Sequence, residues 1–158
     1  MNLTPEMHAA IDDAVLCWVA TASPEGMPNV SPKEVFASSK DSILIAHIAS
    51  PKTVRNIASN PNVMVSLVDV FEQVGWQFSG KASLLWPSSS EFTNLAKPLQ
   101  ELTEGLYPIK AVLRISVSKA KRIVAPSSWL FPDQSKEIVR GKVLARYGVK
   151  DASTQNPN

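Results

Sequence analysis

The segment Ser50-Pro51-Lys52-Thr53-Val54-Arg55-Asn56-Ile57 has the residue types and spacing of an anion-binding helix start. Ser50 is a helix-capping residue and Pro51 suits the first helical position, so the free backbone N–H groups of the first turn face outward beside Lys52, the Thr53 hydroxyl and Arg55. A phosphate of about −1.5 to −2 charge would meet the positive end of the helix dipole, several donors and one or two cations there. The same pattern also caps ordinary surface helices, and the local sequence leaves both readings open. His47 lies just upstream, closing an otherwise apolar strand, and reads either as a hydrogen-bonded strand-end residue or as a contact to a bound ring or substrate proton. Ser31 and Lys33 fall on one face of another strand, with Pro32 between them.

Other chemistries lack their residues. The two histidines are far apart and there is no Cys-x-x-Cys, so no metal site is expected. No P-loop, dinucleotide fingerprint or Gly-x-Ser-x-Gly elbow occurs. Glu34 and Asp69 are acids on or beside strands, and turn or surface roles are the expectation for both. The single cysteine, Cys17, sits between Leu16 and Trp18 and reads as a small buried hydrophobe; it has no cysteine in the same chain to pair with.

The elements that must position these residues follow from periodicity. Thr4-Pro5-Glu6 starts a short amphipathic helix. Val15–Thr21 and Pro28–Phe36 are strands joined by a Ser23-Pro24-Glu25-Gly26 turn, and Pro32 marks the second as an edge, a bulge or a place where something other than a strand meets the backbone. Strands are also predicted at Ser42–His47, Val63–Val70, Gly75–Leu85 and Ala111–Ser118, and helices at Ser50–Asn60, Ser88–Gly105 (with Phe92, Leu95, Leu99 and Leu102 on one face and Pro98 inside) and Asp133–Tyr147, ending at Gly148. Ser42–His47 and Val63–Val70 are apolar on both faces. With few helices to cover six strands, a closed barrel with one outer face buried against a second copy is the economical solution. Core packing is the expectation for Trp76 and Trp86.

The chain has 158 residues, 44% apolar and 19% charged, enough for one domain to hold a core without disulfides or metals. Residues 1–150 are expected to form that domain and the polar stretch 151–158 a disordered tail. The start has no basic or apolar leader pattern and no apolar run approaches the roughly 20 residues of a membrane span, so a cytoplasmic protein without membrane partners is expected. Residues 1–109 carry 6 basic and 11 acidic side chains, residues 110–158 carry 10 and 3. The basic residues are spaced singly among apolar ones, as in Lys119-Ala120-Lys121-Arg122-Ile123, which suits a solvated face or a phosphorylated small molecule better than nucleic acid.

The ordered series Gly26-Met27-Pro28-Asn29-Val30-Ser31-Pro32, Ile43-Leu44-Ile45-Ala46, Lys52-Thr53-Val54-Arg55-Asn56-Ile57, Asn60-Pro61-Asn62-Val63 and Gly80-Lys81-Ala82 resembles the FMN-binding split-barrel family. This is the pyridoxamine 5′-phosphate oxidase-like superfamily, and the resemblance covers about residues 8–125. It implies a mainly β fold with flanking helices, a six-stranded split β-barrel, forming a homodimer with FMN at the subunit interface. It places the FMN phosphate near Ser50, Lys52 and Thr53. The ring and ribityl chain lie, by the same resemblance, along two neighbouring strands at Val30, Ser31, Pro32 and Lys33 and at His47, Ile48 and Ala49. Trp129, in the proline-bounded aromatic stretch Pro126–Pro132, is the candidate to cover a flavin ring, including that of a partner. The arginine-rich substrate motifs of true pyridoxamine phosphate oxidases are not reproduced in Arg122–Tyr147, so their activity does not carry over. The expectation is an FMN-dependent oxidoreductase acting on an unidentified small molecule with no catalytic residue assigned; the alternative is a non-catalytic FMN or haem binding or electron-transfer module. The sequence does not separate FMN from a deazaflavin.

Overall fold

The computed structural model describes residues 1–131, 133 and 135–151. Strands β1 (Cys17–Ala22), β2 (Pro28–Lys33), β3 (Phe36–Ser39), β4 (Ser42–His47), β5 (Asn62–Asp69), β6 (Val74–Leu85) and β7 (Ala111–Val124) form one antiparallel sheet in the order β2-β1-β5-β6-β7-β4-β3. Helices α1 (Pro5–Asp12), α2 (Pro51–Ser59), α3 (Phe92–Leu102), α4 (Ser127–Leu130) and α5 (Lys136–Tyr147) flank it.

The topology forces the sheet to curl. β2 and β3 are its two edges, yet only Glu34 and Val35 separate them in the chain. Laid flat, the edges of seven strands would lie six spacings or about 29 Å apart, whereas three residue steps reach at most ~11 Å. The sheet therefore rolls into a barrel whose seam, between β2 and β3, is bridged by that link. This splits the predicted strand Pro28–Phe36 in two, giving seven strands where six were expected: its first part pairs with β1, and from Phe36 onward it pairs with β4. Pro32 sits on the β2 edge, where its missing N–H costs no ladder bond.

Inside the barrel, Cys17, Val19, Ile43, Ile45, Val65, Leu67, Phe78 and Ile115 form the main core. Ser42–His47 is buried along its whole length. Its second apolar face, Leu44 and Ala46, is covered by Ala96 and Leu99 of α3, so this strand needs no second copy. Leu102 lies off that face and is exposed. β5 differs: Val63, Val65 and Leu67 point inward while Met64 and Val68 stay open. With Trp18 of β1 and Val30 of β2 they leave an apolar outer face on the β2-β1-β5 edge.

Gly80 and Gly148 are dictated by geometry. At Gly80, where the β6–β7 register shifts, a Cβ would lie 2.2 Å from the Ser116 carbonyl oxygen. Gly148 ends α5 in the left-handed conformation (φ 67°) and its N–H returns to the Ala145 carbonyl. β7 runs six residues past the predicted Ser118; its Lys119 and Lys121 share a solvated strand face, while Arg122 turns to the other face and lies over the Trp76 ring. Trp76 packs partly buried against Phe78, as expected, but Trp86 is 44% exposed beyond the end of β6, where no core remains to cover it. Among the described residues no helix is long and apolar enough to cross a membrane. The tail expected to be disordered lies outside the described residues except for Asp151, whose carboxylate accepts from Arg140 Nε at 3.0 Å.

Candidate functional site

A cleft of about 370 Å³ opens at the barrel seam. It is lined by Ser31, Pro32 and Lys33 from β2, Glu34 and Val35 from the link, Ala46 from β4, Ile48, Ala49 and Ser50 from the β4–α2 connection, and Tyr107. β2 and β4 are not neighbours in the sheet, as the resemblance implied; each belongs to a different edge region, and they meet across the seam. The closure of the sheet brings Ser31–Lys33 and Ile48–Ser50 together.

Lys33 is the unusual residue. It sits on the inward face of β2, opposite Cys17, and is only 8% exposed. Its ammonium donates to Ser31 Oγ at 2.8 Å and to Ser50 Oγ at 2.6 Å, two neutral hydroxyls. Among the described residues no carboxylate pairs with it; the ion pairs involve Arg114, Arg122 and Arg140. Burial holds the Lys33 pKa below the usual lysine value, opposed only by the nearby Cys17. A cation in that position is poorly compensated by its own protein and is suited to meet an anion. Cys17 itself is fully buried, its thiol pushed up to about 12, and is inert as expected of a small hydrophobe.

His47 continues the inward face of Ile43 and Ile45 to the end of β4 and is 8% exposed. Its Nδ1 is enclosed without a hydrogen-bond partner. Burial, then Lys110, then Lys33 lower its pKa, so it is neutral near pH 7. Among the described residues, the protein's own groups do not complete the bonding of this nitrogen, which lies within electrostatic reach of Lys33.

α2 seals this end of the barrel. Ser50 stands at its N-cap but makes no side-chain cap bond, because its hydroxyl is turned to Lys33. Lys52 and Arg55 are exposed on the outer side of the first turns. Thr53, read from sequence as an outward hydroxyl, is 1% exposed and accepts from Asn29 Nδ2 at 3.4 Å. Asn29 and Asn56 both donate to Thr21 Oγ1, so a polar cluster lies beneath the helix.

The structure thus gathers Ser31, Pro32, Lys33, Ile48, Ala49 and Ser50 around one cleft, with His47 buried near Lys33. Val30 points to the outer face and is 58% exposed. Trp129 lies in α4, 65% exposed, beside exposed Leu130 and Phe131, and does not line the cleft. Tyr107 joins the cleft with little local signal: an aromatic between Gly105 and Pro108, on a loop leading into a strand. Asp69 accepts from the Phe71 and Glu72 N–H groups, the expected turn role, and Glu34 is exposed at the cleft edge. A second hollow, about 430 Å³ between α1 and the β5–β6 turn, contains none of the expected cofactor residues.

Residues 3–127 match the family described as pyridoxamine 5′-phosphate oxidase. An uncharacterised protein of Methanocaldococcus jannaschii is 29% identical over 117 residues, 72% of this chain and 76% of that protein. The fold is similar to that of a haem storage protein of Vibrio cholerae (TM-score 0.62, 19% identity, 78% of this chain and 95% of the other). It is also similar to that of an FMN-binding protein of Syntrophomonas wolfei (TM-score 0.63, 16% identity, 75% and 84%). Proteins of this fold therefore include binders of flavin and of haem. On the match of residues 3–127, the chain belongs to the pyridoxamine 5′-phosphate oxidase family.

Proposed function

We propose that the protein binds FMN in the seam cleft, as a homodimer, and serves as an FMN-dependent oxidoreductase for a small molecule. The observation that carries the reading is Lys33, a residue only 8% exposed whose ammonium is held by the Ser31 and Ser50 hydroxyls in the cleft, next to the start of α2. The residues present fit the group. Lys33, the Ser50 hydroxyl and the first-turn N–H groups of α2 would hold the phosphate, with Lys52 adding charge from the outer side. Pro32, Val35, Ala46, Ile48 and Ala49 give the cleft apolar walls for a ring. When bound, FMN supplies acceptance of a hydride or of single electrons. His47, buried near Lys33 and neutral, adds no further positive charge there.

The apolar outer face of Trp18, Val30, Met64 and Val68 supports a dimer, since a monomer would leave it in water. On this reading Val30 and Trp129 reach a cofactor only in the assembled dimer. The test is titration of the purified protein with FMN and with riboflavin, followed by absorption and by sedimentation. FMN should bind about 10–100-fold more tightly than riboflavin, the worth of charged hydrogen bonds to the phosphate, and the holoprotein should sediment as a dimer. Equal affinity for the two flavins, or uptake of haem but no flavin, would overturn the FMN reading. Oxidation of a reduced nicotinamide by the holoprotein then tests the oxidoreductase part.

A further inference from the structure

We infer that Tyr107 is a ring-contacting residue of the cleft, closing its outer side over the flavin; this rests on the FMN reading above. Among the described residues, every other one lining the cleft comes from positions 31–50, whereas Tyr107 arrives from the connection between α3 and β7. That connection is built to a fixed shape. Thr103 is buried and its hydroxyl donates back to the Leu99 and Gln100 carbonyls. Glu104 and Gly105 both take positive φ (50° and 72°), and the Gly105 N–H returns to the Gln100 carbonyl at 3.1 Å. At the far end Ile109 packs against the α3 core, and the Lys110 N–H donates to the His47 carbonyl at 2.9 Å. A non-glycine residue in the left-handed region is a local cost, here spent on a loop tied down at both ends.

Held this way, Tyr107 stays 55% exposed, and among the described residues its ring has no aromatic partner and its phenol no hydrogen bond. Isolated exposed aromatics are common. This one borders the cleft that holds Lys33, and its loop is tied to the backbone of His47, between the cleft residues Ala46 and Ile48. An aromatic side chain has few rotamers to lose, so stacking against a flat ring orders it at little entropic cost. The sequence led to Trp129 as the aromatic cover; within one chain it is Tyr107 that borders the cleft.

The test is an FMN titration of wild type, Tyr107→Phe and Tyr107→Leu, reading both affinity and the emission of the bound flavin. A tyrosine in contact with an excited flavin quenches it by lending an electron and taking it back, which phenylalanine and leucine do poorly. Wild type should bind with quenched emission. Tyr107→Leu should weaken binding about three- to tenfold and raise the emission per bound flavin severalfold. Tyr107→Phe should keep the affinity and raise the emission. Equal affinity and emission in all three proteins would overturn the inference while leaving FMN binding standing, and so would an affinity loss with no change in emission, which would place the effect in the loop. A wild type that takes up no FMN at all would instead remove the reading on which the inference rests.

Discussion

The cations of this chain fall into two regions treated in opposite ways. On the outside, Arg114 pairs with Glu91, Arg122 with Glu6, and Arg140 with both Glu72 and Asp151, although water would solvate all of them. At the seam, Lys33 is only 8% exposed and, among the described residues, has two serine hydroxyls as its partners. A protein selected for stability alone would do the reverse, because an exposed pair contributes roughly 0–1 kcal/mol while an uncompensated buried charge is costly. The contrast assigns the exposed pairs to surface structure and supports the seam as the proposed anion site. It also explains why the cleft forms where it does: the seam is the one line along the curled sheet where β2 and β3 leave their outer backbone groups unpaired.

The largest effect should come from supplying the anion internally. In Ser50→Asp the new carboxylate stands where Ser50 Oγ now meets Lys33 Nζ, and aspartate remains a good N-cap, so α2 is retained. The ligand-free protein should melt higher, and FMN affinity should fall on the order of 100-fold or more as the phosphate meets a like charge. Calorimetry and a flavin titration check both halves; a variant that keeps wild-type affinity would mean that the phosphate lies elsewhere.

His47 gives an intermediate effect. Its pKa is lowered in the fold by burial and by the Lys110 and Lys33 charges, so as pH falls below about 6.5 the unfolded chain takes up a proton that the folded chain refuses. Stability carried by the neutral imidazole is present above that pH and is lost on acidification toward the lowered folded value. Urea midpoints measured between pH 7.5 and 5.5 should fall with pH in wild type and be flatter in His47→Gln. Bound FMN, by placing negative charge near Lys33, should lessen the slope.

The smallest effect belongs to the outer region. Arg114→Ala removes a pair whose members are both substantially exposed and should cost less than about 1 kcal/mol, with FMN affinity unchanged. A clear loss of affinity in that variant would erase the distinction between the two regions.

What the sequence makes legible here is whatever depends on neighbours in the chain. Ser42–His47 comes out with its observed bounds because five consecutive apolar or small residues end at a histidine, and Thr4-Pro5 and Gly148 mark helix ends by their own backbone preferences. The cleft is legible in pieces, as Ser31 with Lys33 and as Ile48 through Ser50. That the pieces face each other across a seam is a property of sheet closure, which depends on the shortness of the Glu34-Val35 link. Thr53 was read as outward because a helix start exposes its first turn; its burial comes from Thr21, Asn29 and Asn56, which reach it from elsewhere. Tyr107 is invisible for the same reason, since nothing near it in the chain shares the cleft.

The most direct test of the account is Lys33→Met, with the melting of the ligand-free protein and the dissociation constant for FMN measured on the same preparations. The two readouts should move in opposite directions: the ligand-free variant gains roughly 1–2 kcal/mol by losing a buried charge, and FMN binding weakens about 10–100-fold. A variant that loses stability and still binds FMN as wild type does would show that Lys33 is a structural residue and that the seam is not the anion site.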